Sequence, residues 1–232
     1  MGRSELIHYD ESRKGKELFF PEGPSKKASA PRSKFFELVG DPSQIIKVGV
    51  HNFDANETMN MLERFSLVRN NVRMTKLPNG YFTEKDVVTG SVVPFYPDTT
   101  SLYQILETHN VEELLKHYQR DDDPVHNLFL FFDENLDRLE ELVDNGLYYT
   151  DFNHGNILFS NNESHLIDFD PGYVRTPSKE NYKAVLDSYD LLLFIALKRF
   201  ELLDLCTYKS KNFKAMRKRL EKVEDKVRRR MH

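Results

Sequence analysis

The sequence predicts an α+β fold in which strand-forming segments come first and helices follow. Runs of strand composition crowd the stretch that ends at Pro94 and Pro97. Helical periodicity takes over from Asn110, and a long apolar stripe between Val125 and Val143 leads into a single short hairpin pattern.

The elements follow in order. Residues 1–33 are rich in Lys, Ser, Pro and Gly, with PEGPSKKASAPRS after Phe19-Phe20, and read as an arm and a loop. Phe35 to Val39 and Gln44 to Val50 have strand composition, and Gly40-Asp41-Pro42-Ser43 between them supplies turn chemistry, which predicts a β-hairpin. Asp54-Ala55-Asn56-Glu57 matches a capping box, so a helix is expected from Ala55 to about Arg69, with Thr58, Met61, Leu62, Phe65 and Val68 on its apolar stripe. Extended stretches are expected over Val72 to Thr83, broken at Pro78-Asn79-Gly80, and over Asp86 to Val93. Asn110 and Glu113 form a second expected capping box before a short helix through Leu114, Leu115 and Tyr118. The longer helix carries Val125, Leu128, Phe129, Phe132, Leu136, Leu139 and Val143, and Gly146 suits its C-terminal cap. Leu191 to Leu197 reads as a core helix.

Composition narrows the function classes. A chain of 232 residues is long enough for one domain or two small lobes sharing a cleft, and too short for several domains. Its 39% hydrophobic and 12% aromatic residues are those of a folded chain. The lone Cys206 excludes an internal disulfide. The opening MGRSELIHYDESRKGKE lacks a signal-peptide core, and the seven-residue run Leu191 to Leu197 is far short of the roughly 20 needed to span a bilayer. A soluble, cytoplasmic protein is therefore expected, with no integral membrane segment; export as an effector leaves no readable mark. From Lys209 to Arg230 there are 11 Lys and Arg against three acids, a local +8 that leaves −12 elsewhere. Phe213, Met216, Leu220, Val223 and Val227 fall at three- and four-residue steps in that tail, so a basic helix is expected to pack on its own domain, with a partner or acidic surface as the other reading.

The segment GLYYTDFNHGNILFSNNESHLIDFDPGYV carries the chemistry. Asp151 is followed by Asn156 five residues on and by Asp168 twelve beyond that, and Ile157-Leu158-Phe159 and His165-Leu166-Ile167 flank the turn signal Asn161-Asn162-Glu163. A tight hairpin brings Asn156 and Asp168 together at its open end, where one oxygen from each can hold a divalent cation, with Asp151 beside them. Phosphoryl transfer needs such oxygen ligands for Mg²⁺ and a carboxylate to orient the incoming hydroxyl.

The order D-x-x-x-x-N-I-L followed by I-D-F-D resembles the catalytic and metal loops of eukaryotic-like protein kinases, aminoglycoside and choline phosphotransferases and their relatives. The resemblance extends over most of the chain. It implies a bilobal protein-kinase-like fold, with an arm and degenerate phosphate loop over 1–33, a small β-rich N-lobe over 34–97 and a mostly helical, shortened C-lobe over 98–232. It also implies Mg²⁺-ATP as donor, with Mn²⁺ as a substitute metal. Under it Lys47 in QIIKV is the phosphate-anchoring lysine, Asp151 orients the acceptor, and Asn156 and Asp168 hold the metal. Glu57 and Glu63 compete as the partner of Lys47; Glu57 is engaged by the capping box, which favours Glu63. Backbone groups of Pro94, Phe95 and Tyr96 are expected at an adenine edge, and Asp190 is expected to open a buried helix and brace the catalytic loop.

Departures from the pattern shape the expected function. Gly23 is the sole glycine between Phe20 and Phe36, so the glycine-rich loop is nearly absent, with Ser25, Lys26 and Lys27 as the compensating phosphate contacts. Tyr149 and Thr150 stand where His and Arg usually precede the catalytic Asp, which argues against control by an activation-loop phosphate. Asn153 replaces the usual Lys or His, and Asp170 replaces glycine after the metal-binding Asp-Phe pair. The resemblance implies a minimal, bacterial-type Ser/Thr protein kinase acting on a protein hydroxyl. A small-molecule kinase and a nucleotide-binding pseudokinase scaffold are the alternatives.

Overall fold

The protein is a mixed α+β chain built around one large β-sheet and a set of helices. The computed structural model describes residues 5–18, 33–49, 53–203, 214–215, 218–219 and 221–222. Two compact units are present: one reaches to Pro97 and takes in Phe169–Pro171, and the other holds Asp98–Asp168 and resumes at Gly172.

The first unit contains β1 (Ile7–Tyr9), β2 (Lys14–Leu18), β3 (Ser33–Leu38), β4 (Gln44–Gly49), α1 (Ala55–Val68), β5 (Gly80–Glu84) and β6 (Val87–Pro94). Its strands form one sheet in the order β1-β5-β6-β4-β3-β2. The arm and loop expected over the first 33 residues are corrected here, because residues 7–9 and 14–18 are the two edge strands. Edge position explains why composition concealed them: β2 carries Lys14, Lys16 and Glu17, and charge on an edge strand discourages pairing with another chain. Lys14 bonds Glu84 at 2.5 Å, and β1 runs parallel to β5, with Ile7 opposite Gly80.

Alternation of side chains sorts the sheet into two faces. Tyr9, Leu38, Ile46, Phe82 and Val92 form a buried cluster, with Phe36 and Val48 packed against it. Lys47 lies between Ile46 and Val48 on β4 and so belongs to the opposite face. Gly90 fixes how closely β6 approaches that strand, since a Cβ there would lie 2.2 Å from the Lys47 carbonyl oxygen. Helix α1 begins where the capping signal placed it: Asp54 Oδ1 accepts from the amides of Asn56 and Glu57 at 2.8 and 3.0 Å. Its Thr58, Met61, Leu62, Phe65 and Ser66 are buried.

The second unit contains β7 (Thr100–Ser101), α2 (Leu102–Glu107), α3 (Glu112–Leu115), α4 (Pro124–Asp144), β8 (Tyr148–Tyr149), β9 (Ile157–Ser160), β10 (Glu163–Leu166), β11 (Val174–Arg175) and α5 (Lys179–Arg199). The capping box expected at Asn110 and Glu113 is half wrong. Asn110 Oδ1 does accept from the Glu112 amide at 2.9 Å, but the Glu113 carboxylate bonds Lys116 instead. A complete box forms at Ser101 and Gln104, opening α2. Helix α4 ends as Gly146 suggested: Gly146 takes φ +76, its amide bonds Val143 O, and the Leu147 amide bonds Leu142 O.

An aromatic core joins the segment after α3 to α4, α5 and the hairpin. Phe131 packs with Tyr118, Phe132 and Phe159 at 5.1 to 5.7 Å between ring centroids, and Tyr189 of α5 lies edge-on to Phe132 at 5.9 Å. Truncating one such side chain costs about 3 to 5 kcal/mol. The expected core run in α5 is buried at Leu192, Leu193, Ala196 and Leu197, whereas Leu191 and Phe194 are exposed, as the helical period requires. Among the described residues no helix is long and apolar enough to cross a membrane.

Candidate functional site

The second unit folds the Asp151–Asp168 segment into a loop and a hairpin. Strands β9 and β10 pair antiparallel with Ser160 opposite Glu163 and Ile157 opposite Leu166. Asn161 and Asn162 form the two-residue turn, both at positive φ, which Asn tolerates better than other L residues. Asn162 also grips the backbone of Gln119 at both ends, accepting from its amide and donating to its carbonyl. Beneath the hairpin, the buried Arg138 of α4 bonds Asn135 and Ser164, tying β10 to the helix.

At the open end the Ile167 amide donates to the Asn156 carbonyl at 3.0 Å, so Asn156 and Asp168 leave the hairpin side by side along the backbone. Asp168 sits at φ +64, an unusual conformation for a non-glycine residue and one that recurs at functional positions. Tyr149, fully buried on β8, donates its hydroxyl to the Ile167 carbonyl at 2.8 Å and fixes the residue before Asp168.

Asp151 is held by two neutral amides. Asn153 Nδ2 donates to Oδ1 at 2.9 Å and Asn156 Nδ2 donates to Oδ2 at 2.8 Å, and both also reach the Asp151 carbonyl. The carboxylate is thus oriented without a cationic neighbour in this network. Asn153 is itself locked by accepting from the Gly155 amide at 2.8 Å. Next in the chain, buried Phe152 stacks on Tyr189 at 5.6 Å and 18°, anchoring the loop on α5.

With its NH₂ committed to Asp151, Asn156 has only Oδ1 to offer a cation. Among the described residues no group of three His, Cys, Asp or Glu side chains can hold a metal. A donor set of one amide oxygen and one carboxylate still suits Mg²⁺, which keeps several waters and takes substrate phosphate oxygens as ligands.

In the first unit Lys47 is 8% exposed, and its Nζ bonds Asp170 Oδ1 at 2.5 Å. The ion pair places Asp170, which the sequence offered only as a departure from a motif, directly on the expected anchoring lysine. Glu63 stands mid-helix in α1 with an exposed side chain. Phe169, buried, lies edge-on to Phe65 of α1 at 6.2 Å and 85°.

Along the stretch expected at an adenine edge, the Phe95 amide donates to Ser43 O at 2.8 Å and the Lys76 ammonium stands 5.6 Å over the Tyr96 ring. One expectation is corrected. Asp190 does not open a helix: α5 begins at Lys179 under a Ser178 cap, which leaves Asp190 exposed in mid-helix. The neighbouring Tyr189 anchors the loop, through the Phe152 stack and a 3.0 Å bond from its hydroxyl to Phe132 O. Gly23, Ser25, Lys26, Lys27, Cys206 and the tail stripe of Phe213, Met216, Leu220, Val223 and Val227 lie outside the described residues. Sequence reasoning missed the clamping role of Asn153, although Asn153-His154-Gly155 is a stretch in which an Asn side chain can bond the backbone two residues on. No protein-family model matches the chain, and no curated protein matches it.

Proposed function

We propose that the chain is a bilobal protein-kinase-like phosphotransferase that moves the γ-phosphoryl group of ATP to a protein hydroxyl. The observation that carries the reading is the oriented Asp151 carboxylate, clamped by Asn153 and Asn156 at the mouth of a hairpin that ends on Asp168. A general base must be positioned before its basicity matters. Two amide donors supply that position.

In this reading Asp151 accepts the proton of the acceptor hydroxyl as its oxygen bonds to the γ-phosphorus and the bond from that phosphorus to the leaving ADP oxygen breaks. Asn156 Oδ1 and the Asp168 carboxylate would hold Mg²⁺, which neutralises phosphate charge when bound. Lys47 fixes a phosphate oxygen, and its burial makes the ammonium a strong anion anchor. Thr150 bonds the Tyr173 carbonyl rather than standing as an arginine that could receive a regulatory phosphate.

A second reading, transfer to a small-molecule hydroxyl, is favoured by Asp170 after Asp-Phe and by the short chain from Asp168 to α5. The decisive experiment adds Mg²⁺ and radiolabelled ATP to the purified protein alone, to a generic protein substrate, and to a panel of sugars and aminoglycosides. Label on protein supports the first reading, and label on a panel member supports the second. No transfer and no thermal stabilisation by Mg²⁺-ATP would overturn both; stabilisation without transfer would leave a nucleotide-binding scaffold.

A further inference from the structure

Lys47 is a buried cation on a central strand, and one group that pairs with it is a carboxylate of its own chain, half-way to solvent. Its side chain is 9% exposed, that of Asp170 is 36% exposed, and they meet at 2.5 Å. A buried ammonium needs an anion beside it. The two partners nevertheless differ in how replaceable they are. Lys47 sits on β4 with Phe35 and Ser91 in register on either side, so the sheet holds its backbone. Asp170 belongs to the three-residue stretch Phe169–Pro171, outside any helix or strand. Carboxylate and phosphate oxygens present the same chemistry to an ammonium, and Asp170 therefore occupies the place that a phosphate oxygen takes.

We propose that Asp170 is a built-in competitor for phosphate at Lys47, so that a nucleotide binds by exchanging its phosphate oxygen for the Asp170 carboxylate. The inference rests on the phosphotransferase reading for the identity of its ligand, while the exchange itself requires only a polyphosphate anion. Affinity is set by the difference between two anions on one cation. Freed from Lys47, Asp170 takes its charge towards solvent, and the cost of that release is subtracted from phosphate binding.

The test compares wild type with Asp170→Asn and Asp170→Glu by titration calorimetry, using ATP and inorganic tripolyphosphate, each with and without Mg²⁺. Removing the competing charge should tighten both ligands about tenfold, with and without metal, and Asp170→Glu should stay near wild type. Melting curves establish that each variant is folded, and the Glu variant carries the comparison if the Asn variant is not: it then has to bind within about twofold of wild type. Equal or weaker binding by a folded Asp170→Asn protein overturns the proposal. Weakening seen only with Mg²⁺ does so as well, because Asp170 would then be serving the metal. Tighter tripolyphosphate binding with no ATP binding by any protein keeps the exchange and rejects the nucleotide. Failure of every protein to bind either anion rejects both.

Discussion

Replacing Tyr149 with Phe should loosen the one residue that leads into Asp168. The hydroxyl lies in a fully buried side chain and donates to the Ile167 carbonyl at 2.8 Å. The ring remains in place in the variant, so no cavity of consequence opens, and the loss is that of one hydrogen bond. Such a bond contributes about 1 kcal/mol net, and a buried carbonyl deprived of its donor raises the cost to about 1 to 3 kcal/mol. For a chain of this size each 1 kcal/mol moves the melting temperature by about 2 to 4 °C, which places the expected fall at about 2 to 12 °C. Because Asp168 holds φ +64 immediately beyond that carbonyl, the loss should be local as well as global. Amide hydrogen exchange at Asp168 should speed up more than exchange within α4. A melting temperature within about 1 °C of wild type, with exchange at Asp168 unchanged, would refute the reasoning.

Further outcomes follow from the same geometry. Asp151→Asn should leave nucleotide binding intact and lower turnover by at least about a hundredfold, since under the proposed function the residue acts on the acceptor; equal losses in calorimetric affinity and in rate would contradict that role. Under the same proposal, Mg²⁺ should add to the stabilisation given by ATP and Asp168→Ala should abolish that addition, read from melts with and without metal. His154 is held below its ordinary value of 6.5 by burial and then by Arg199, against an upward pull from Glu107. Unfolded chain therefore binds the proton first as pH falls below about 6.5, so stability is lost towards acid, and His154→Gln should flatten that slope between about pH 7 and pH 5. Arg219 donates to Asp133 and Asp137 on α4, all three partly exposed. Arg219→Ala should cost only about 0.5 to 1 kcal/mol, measured as a small melting shift that shrinks at high salt; an undiminished shift in 1 M salt would mean a packing role.

How much of this was legible depended on how local the signal was. The cap at Asp54, the positive-φ Gly146 and the Asn161-Asn162 turn are decided by groups a few residues apart, and their signatures stand in the sequence. The edge strands Ile7–Tyr9 and Lys14–Leu18 are decided elsewhere: β5 and β3 supply their hydrogen bonds, and the charges of β2 that argue against a strand are what an edge requires. Ser101-x-x-Gln104 is a capping box that could have been read, and the Ser178 cap after Pro177 likewise marks the true start of α5, twelve residues before Asp190.

The candidate site divides along the same line. Asp151, Asn156 and Asp168 sit within eighteen residues of one another, and the hairpin pattern between them suffices to place them. The hydrogen bonds that give Asp151 its orientation are also short-range, yet they depend on which end of an amide faces which oxygen, and residue type alone does not encode that. Lys47 and Asp170 are separated by 123 positions. Only burial of the lysine makes an anion obligatory there, and burial is a property of the assembled sheet. A sequence read for phosphate ligands therefore finds the lysine and looks for a partner on the nearest helix, at Glu57 or Glu63, while a carboxylate as distant in sequence as Asp170 escapes it. That demand also gives the acid at position 170 a physical role: its carboxylate lies at 2.5 Å from a buried ammonium, a contact glycine could not supply.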